Sequence, residues 1–191
     1  QALAGKSIVA LFEKPSLRTR VSFDIGINRL GGHMVYLDSQ SNKLAGREDS
    51  VDVAANLACW ADAIVARVFS HSTLETFAQY SKVPIINGLS DDLHPCQLLA
   101  DMQTYLEHRG PIKGKTVAWI GDGNNMCNTF IQAAIQFDFN LRVACPEGYE
   151  PAQQFLEQAG DRVTVMRDPM EAVAGAHLVN TDVWASMGQE D

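Results

Sequence analysis

The residues that could do chemistry gather where apolar runs give way to helical patterns. The stretch FEKPSLRTR, residues 12–20, lies between the apolar run SIVALF and the helix-like VSFDIGINRL. A helix that begins just after the proline presents unpaired backbone N–H groups and a positive dipole end to an anion. The hydroxyls of Ser16 and Thr19 add donors, and the Arg18 guanidinium fits phosphate oxygens. The stretch indicates a phosphate site, with an ordinary N-cap and solvated arginines as the alternative.

Two further junctions carry polar side chains of matching chemistry. Arg67 ends the apolar run AIVAR, and His94 and Gln97 follow the next predicted strand. Ligands of open parallel sheets bind beyond the carboxyl ends of the strands. Singly, Arg67 is more typical of a surface cation and His94 of a helix start. Together, the three junctions predict a pocket with phosphate donors, a second arginine, a histidine to donate to a carbonyl and an amide.

Composition excludes several functional classes. The 191 residues carry a formal net charge of -8, which argues against a general nucleic-acid or anionic-membrane binder. The four cysteines form no CxxC pair, as expected of reduced thiols in the cytoplasm. No apolar run reaches the roughly 18 residues of a membrane span. The five histidines show no ligand spacing, and GDGNNM has Met126 where GxGxxG needs glycine, so we expect neither metal nor nicotinamide cofactor.

The order of apolar runs and helical patterns predicts the fold class α/β, with two domains that are each a mostly parallel sheet flanked by helices. The Gly- and Pro-rich stretch 109–115 reads as a linker, so we predict domains over 1–110 and 111–191. The helix predicted over 17–30 carries two apolar stripes, and we expect it to be buried on much of its surface. Ser50 is the expected cap of the following helix. Because the chain starts at Gln1 and stops shortly after WASMGQE, we expect a second domain that lacks its C-terminal part.

These motifs resemble a known family. SLRTR (16–20), the ARV around Arg67 and HPCQLLAD (94–101) are similar to the aspartate/ornithine carbamoyltransferase family in order, spacing and placement. GDGNNM (121–126) and TDVWASMG (181–188) resemble the ornithine-binding segments of its ornithine branch. Position 17 is leucine where the family often has threonine, which matters little if that residue contributes its backbone N–H. The family's HCLP segment is absent.

The resemblance implies a role for each matching residue. Arg18, Arg67 and His94 would be catalytic. Carbamoyl phosphate would be bound by the basic junction and its companions: Ser16, Leu17, Arg18, Thr19, Arg67, His94 and Gln97. Lys43, in the polar loop 38–50, would also bind carbamoyl phosphate, by reaching a neighbouring subunit's site. Ornithine would be bound by Asn125, Asp182, Ser186 and Met187. Asp182 also has its own rationale, since a carboxylate at a strand end suits an ammonium group, with a turn-capping role as the alternative.

The function implied by the resemblance is carbamoyl transfer from carbamoyl phosphate to the δ-amino group of L-ornithine, giving L-citrulline and phosphate. The resemblance also implies arginine biosynthesis, no cofactor, a cytoplasmic location and a homotrimer with sites at subunit interfaces. Two alternatives stay open. One is a carbamoyltransferase with another acceptor, namely aspartate, putrescine or an acylated ornithine. The other is a non-catalytic fragment that binds carbamoyl phosphate.

Overall fold

The computed structural model describes residues 1–38 and 49–182. The chain divides into two compact units, Gln1–Asp91 and Asp92–Asp191. Each unit contains a four-stranded parallel sheet with helices against it. The predicted α/β class with two parallel, helix-flanked sheets is therefore confirmed. None of the helices in these two ranges is both long and apolar enough to cross a membrane.

The elements of the first unit in chain order are β1 (Ser7–Phe12), α1 (Leu17–Arg29), β2 (His33–Asp38), α2 (Ser50–Leu57), β3 (Ala63–Arg67), α3 (His71–Tyr80) and β4 (Ile85–Leu89). The sheet has the strand order β2-β1-β3-β4. Its inner strands are buried on both faces, as parallel strands under helices require. Val9 and Leu11 of β1 face one apolar core, whereas Ala10 and Phe12 face the other.

Two local expectations about the first unit were wrong. Helix α1 buries only Ile27, while Leu17 and Ile25 are 79% and 49% exposed. The sheet covers one side of this helix, and the apolar stripe of Leu17, Val21 and Ile25 lies on an exposed side. Asp49, not Ser50, caps α2, because the Asp49 carboxylate accepts from the Val51 N–H at 3.0 Å.

The elements of the second unit are α4 (Pro95–Arg109), β5 (Thr116–Ile120), α5 (Asn125–Gln136), β6 (Asn140–Ala144), α6 (Gln153–Ala159), a 3-10 turn (Gly160–Arg162), β7 (Val163–Met166), α7 (Pro169–Val173) and β8 (Leu178–Thr181). The sheet has the strand order β7-β6-β5-β8. The core of this unit centres on Trp119 of β5, which is fully buried and contacts Phe130 at a ring-centroid distance of 5.6 Å.

Helix α4 packs with the second unit. Its Leu98, Met102 and Tyr105 belong to the same apolar core as Trp119 and Phe130. The compact units consequently divide between Asp91 and Asp92. The domains predicted from sequence, 1–110 and 111–191, divide after this helix, and that division stays a prediction. Glycine and proline in 109–115 mark a turn of the chain. The apolar face of α4 determines that this helix packs on the core of the second unit.

Candidate active site

Two of the three basic residues in the stretch 12–20 are engaged by other side chains. The Lys14 ammonium pairs with the Asp91 carboxylate and lies 4.7 Å from the centre of the Phe69 ring. The Arg20 guanidinium stacks 4.0 Å from the centre of the Tyr36 ring. Such cation–π contacts use the face of the guanidinium and fix its direction. Lys14 and Arg20 therefore serve the structure of the first unit, and Arg18 remains as the cation at the helix start.

Ser16 caps the start of α1, which agrees with the alternative of an ordinary N-cap as well as with an anion site. Ser16 is extended (φ -156, ψ 110), and its Oγ accepts from the Thr19 N–H at 3.4 Å. The Ser16 hydroxyl also donates to Thr19 Oγ1 at 2.9 Å. Leu17 is the first helical residue, and its exposed side chain leaves the backbone N–H as its contribution to an anion. The first turn thus collects backbone and hydroxyl donors beside Arg18, as an anion site requires.

Arg67 is a buried cation of the first unit. It ends β3 with 4% of its surface exposed, and its Nε makes no hydrogen bond to the described residues. No carboxylate among those residues forms an ion pair with it. Burial lowers the pKa of Arg67, and the positive charge of Arg18 lowers it further. A buried guanidinium without a counter-charge is costly, so this position favours an incoming anion.

Backbone geometry holds Arg67 near the start of α1. The β3–β4 register shifts between Ala66 and Arg67, a local irregularity of the kind that re-aims side chains. The Glu13 N–H donates to the Arg67 carbonyl at 2.8 Å, and the Glu13 carboxylate accepts from the Phe69 N–H at 2.8 Å. Glu13 therefore joins the loop after β1, which leads into α1, to the end of β3. Sequence reasoning missed Glu13, although its acidic side chain among the basic residues was a signal.

In the second unit, His94 and Asn125 are linked through one hydroxyl. The His94 N–H donates to Thr129 Oγ1 at 2.8 Å, and Thr129 Oγ1 donates to the Asn125 carbonyl at 2.5 Å. His94 precedes α4 as its N-cap residue, and Asn125 opens α5. Thr129 is buried, so these hydrogen bonds are shielded from water. The starts of α4 and α5 are thus positioned together.

The Gln97 side chain is oriented by its own helix. Its Nε2 donates to Asp101 Oδ1 at 3.0 Å, one helical turn later. Because the NH₂ end of the amide is engaged, the carbonyl Oε1 is the end that remains to accept a hydrogen bond from a ligand. Burial raises the pKa of Asp101, and the bond from Gln97 acts in the opposite direction. Asp101 also went unnoticed in the sequence, where its i, i+4 spacing from Gln97 was the available signal.

Asp182 follows β8 and contacts the turn after β5. Asn124 Nδ2 donates to Asp182 Oδ2 at 2.9 Å. Asp122 lies in the same turn, and burial raises the pKa of its carboxyl, with a further contribution from the negative charge of Asp182. Two carboxylates at one sheet edge favour a cationic ligand.

The second glycine of GDGNNM has a structural reason. A Cβ on Gly123 would lie 2.2 Å from the backbone nitrogen of Pro151, so only glycine allows this approach. The Gly123 N–H donates to the Tyr149 carbonyl at 2.8 Å. Within residues 1–38 and 49–182, no group of three or more His, Cys, Asp or Glu side chains is placed to bind a metal ion.

The structure brings the predicted residues together in two sets. Ser16, Leu17, Arg18, Thr19 and Arg67 lie in the first unit, at the carboxyl ends of β1 and β3. His94, Gln97, Asn125 and Asp182 lie in the second unit, near the starts of α4 and α5 and the end of β8. Lys43, Ser186 and Met187 lie outside the described residues.

Fold and site together define a two-unit α/β protein that places cationic groups at one sheet edge and carboxylate and amide groups at another. The model of the aspartate/ornithine carbamoyltransferase carbamoyl-phosphate-binding domain matches residues 1–107, and that of the Asp/Orn-binding domain matches 113–191. The chain belongs to the aspartate/ornithine carbamoyltransferase family, as its motifs predicted.

Individual relatives agree with this assignment. The anabolic ornithine carbamoyltransferase of Pseudomonas aeruginosa is 61% identical over 191 residues, which are 100% of this chain and 63% of the relative. The structure of ornithine carbamoyltransferase from Pyrococcus furiosus has a TM-score of 0.93 at 44% identity, covering 99% of this chain and 63% of that one. For N-acetyl-L-ornithine transcarbamylase complexed with PALAO, the TM-score is 0.85 at 28% identity, with coverage of 96% and 67%. The chain spans less than two thirds of the length of the first two.

Proposed function

We propose that the protein to which this chain belongs transfers the carbamoyl group of carbamoyl phosphate to the δ-amino group of L-ornithine, giving L-citrulline and phosphate. The proposal rests mainly on Arg67. Its guanidinium is buried without a carboxylate partner among the described residues, and it lies beside the capped helix start that bears Arg18. A dianionic acyl phosphate would supply the missing counter-charge. Identity to relatives named ornithine carbamoyltransferase supports ornithine as the acceptor.

In this proposal the first unit binds the donor. The N–H groups and hydroxyls at the start of α1, from Ser16, Leu17 and Thr19, bind the phosphate group together with Arg18. These interactions strengthen as the bridging C–O bond breaks and negative charge accumulates on the departing phosphate. Arg67 polarises the carbamoyl carbonyl and stabilises the oxyanion of the tetrahedral intermediate. Lys43 contributes to a neighbouring subunit's site in a homotrimer.

The second unit supplies the remaining groups. His94 donates to the carbamoyl oxygen, and the Gln97 carbonyl accepts from the carbamoyl NH₂. Ornithine is held by Asn125, Asp182, Ser186 and Met187, with the Asp182 carboxylate on the α-ammonium group. We assign donor binding to residues 1–110 and ornithine binding to residues 111–191. The assignment agrees with the domain descriptions of the two matching family models.

The nucleophile is the neutral δ-amine, although a free aliphatic amine has a pKa of about 10. The positive charges of Arg18 and Arg67 disfavour an ammonium group near the carbamoyl carbon and so lower the pKa of that amine. The N–C bond forms as the amine attacks the carbamoyl carbon. The C–O bond to phosphate then breaks, and the amine proton is released. We place this reaction in the cytoplasm, in the synthesis of arginine.

A citrulline assay on the natural full-length protein tests the proposal. Carbamoyl phosphate is supplied with ornithine, aspartate, putrescine or N-acetylornithine in parallel, and each ureido product is quantified. We expect product with ornithine at a kcat/KM far above that with the other three. A preference for another amine would overturn ornithine as the acceptor while leaving the donor site intact.

A second candidate function concerns the 191-residue chain alone. The residues assigned to the phosphate group all lie in the first unit, so binding of carbamoyl phosphate does not depend on the ornithine groups. This placement favours a chain that binds carbamoyl phosphate without transferring its carbamoyl group. Calorimetric titration with carbamoyl phosphate, alongside the citrulline assay, separates binding from turnover.

A further inference from the structure

Asn124 stands at the start of α5, and both ends of its side-chain amide are engaged. Its Oδ1 accepts from the backbone N–H groups of Met126 at 2.9 Å and Cys127 at 3.1 Å, which makes it the N-cap of the helix. A carbonyl oxygen only accepts and an amide nitrogen only donates. The cap therefore determines which end of the amide faces away from the helix, namely the NH₂ group.

The outward NH₂ group meets Asp182. Asn124 Nδ2 donates to Asp182 Oδ2 at 2.9 Å. The parallel pairing of β5 with β8 sets Ile120 opposite Thr181, so Asp182 and the turn after β5 leave the sheet at the same edge. The hydrogen bond thus connects a rigid helix cap to a carboxylate at the end of a strand.

A second carboxylate, that of Asp122, lies in the same turn. Burial raises the pKa of Asp122, and the negative charge of Asp182 also raises it. The hydrogen bond from Asn124 restricts the rotation of the Asp182 carboxylate. Asn124 achieves this without adding a positive charge that would compete with a cationic ligand.

We propose that Asn124 is a positioning residue, which holds the Asp182 carboxylate in the orientation that receives the α-ammonium group of ornithine. The inference rests on the proposed function, which assigns that ammonium group to Asp182. Asn124 acts through Asp182, whereas the neighbouring Asn125 is assigned to the binding of ornithine.

Two substitutions separate the cap from the donor. Aspartate and serine both cap helices well, so Asn124→Asp and Asn124→Ser preserve the acceptor for the α5 N–H groups. Asn124→Asp replaces the donor with a third carboxylate, and the hydroxyl of Asn124→Ser is too short to reach Asp182. In the natural full-length protein we expect the KM for ornithine to rise by about tenfold in Asn124→Ser and by more in Asn124→Asp. The KM for carbamoyl phosphate should stay at its wild-type value.

A matched control comes from another helix of the same unit. Asp168 caps α7 by accepting from the Met170 N–H at 2.8 Å. Asp168→Asn exchanges the same two residue types as Asn124→Asp, in the opposite direction. Asp168 has no role in the proposed site. We expect wild-type KM values for both substrates in this variant. Equal KM values in Asn124→Ser and wild type, or a matching rise in Asp168→Asn, would contradict a positioning role.

A crystal structure of Asn124→Ser tests the positioning independently of turnover. We expect the Asp182 carboxylate to leave its wild-type orientation while α5 keeps its first turn. An unchanged carboxylate would overturn the inference even if ornithine is the acceptor. Conversely, a wild-type protein that makes no citrulline would overturn the proposed function, and the crystal structure would still decide whether Asn124 positions Asp182.

Discussion

At the scale of the residue, the site depends on which charged groups already have partners. Lys14 and Arg20 carry the same charge as Arg18, but Asp91 and the ring of Tyr36 engage them. Arg67 is buried without a carboxylate partner among the described residues. A buried charge without a partner destabilises a fold, so the burial of Arg67 indicates a site for an anionic ligand.

Arg67→Met should separate function from stability. Methionine fills similar space without a charge, so we expect kcat/KM for citrulline formation to fall by at least about 100-fold while the thermal midpoint holds or rises. The citrulline assay and a thermal unfolding curve measure the two effects. Arg20→Gln is the control, since Arg20 packs on Tyr36 and has no assigned contact with substrate. Wild-type activity in Arg67→Met would remove Arg67 from the reaction.

At the scale of the element, hydrogen bonds between helix starts and loops position the groups of the second unit. The Thr129 hydroxyl serves His94 and Asn125 at once. Asp138 serves the 109–115 segment in a comparable way, through an ion pair with Lys113 and a carbonyl that accepts from the Gly114 N–H at 2.7 Å.

Thr129→Val should destabilise the second unit, because it leaves the His94 N–H and the Asn125 carbonyl without the shared hydroxyl. We expect the free energy of unfolding to fall by about 1–3 kcal/mol, the usual cost of an unsatisfied buried polar group. Thr129→Ser keeps the hydroxyl and is the matched control. Urea denaturation of both variants provides the measurement. Equal losses in the two would contradict a role for the hydrogen bonds, because Thr129→Ser retains the hydroxyl that Thr129→Val lacks.

Asp138→Asn should give a pH-dependent loss of stability. Hydrogen bonds from Arg162 and then from Lys113 lower the pKa of Asp138 below 3.8 in the folded chain. The stabilisation by this carboxylate is therefore present above pH 3.8 and disappears as the pH falls through the lowered value. We expect the wild type to be more stable than the variant at neutral pH, with the two converging in acid.

Asparagine is the suitable replacement because residue 138 has a positive φ of 58°, which asparagine tolerates better than most residues. Denaturant unfolding from about pH 7 down to about pH 3 follows the convergence. A stability difference that is constant across this range would show that the charge of Asp138 is not its cause.

At the scale of the whole molecule, the chain divides into two units with different chemistry. Cationic groups at the ends of β1 and β3 belong to the first, and the carboxylate–amide cluster belongs to the second. The groups proposed for the phosphate all belong to the first set, so carbamoyl phosphate should bind in the absence of ornithine.

Carbamoyl phosphate alone should therefore raise the thermal midpoint of the 191-residue chain. A ligand that binds only the folded state at 100 times its Kd stabilises it by about 2.7 kcal/mol. Differential scanning calorimetry with carbamoyl phosphate, and with ornithine by itself, provides the measurement. Arg18→Gln should abolish the increase. An equal shift in that variant would place the phosphate elsewhere.

The sequence by itself determined the parts of this protein that depend on local pattern. Alternating apolar runs and helical periods specify the parallel α/β sheets, and the chemistry of SLRTR, Arg67 and HPCQ marks the strand ends. Proline, glycine and capping hydroxyls act on the residues beside them, so their effects are visible in the order of residues. The Ser16 cap of α1 is such a case.

Only the tertiary structure decided which residues meet. It paired Lys14 with Asp91, exposed the stripe of α1 that carries Leu17, and packed α4 with the core of the second unit. It also placed Asn124 against Asp182. These contacts join residues far apart in the chain, and the strand order and helix packing that bring them together are not written in the spacing of residues.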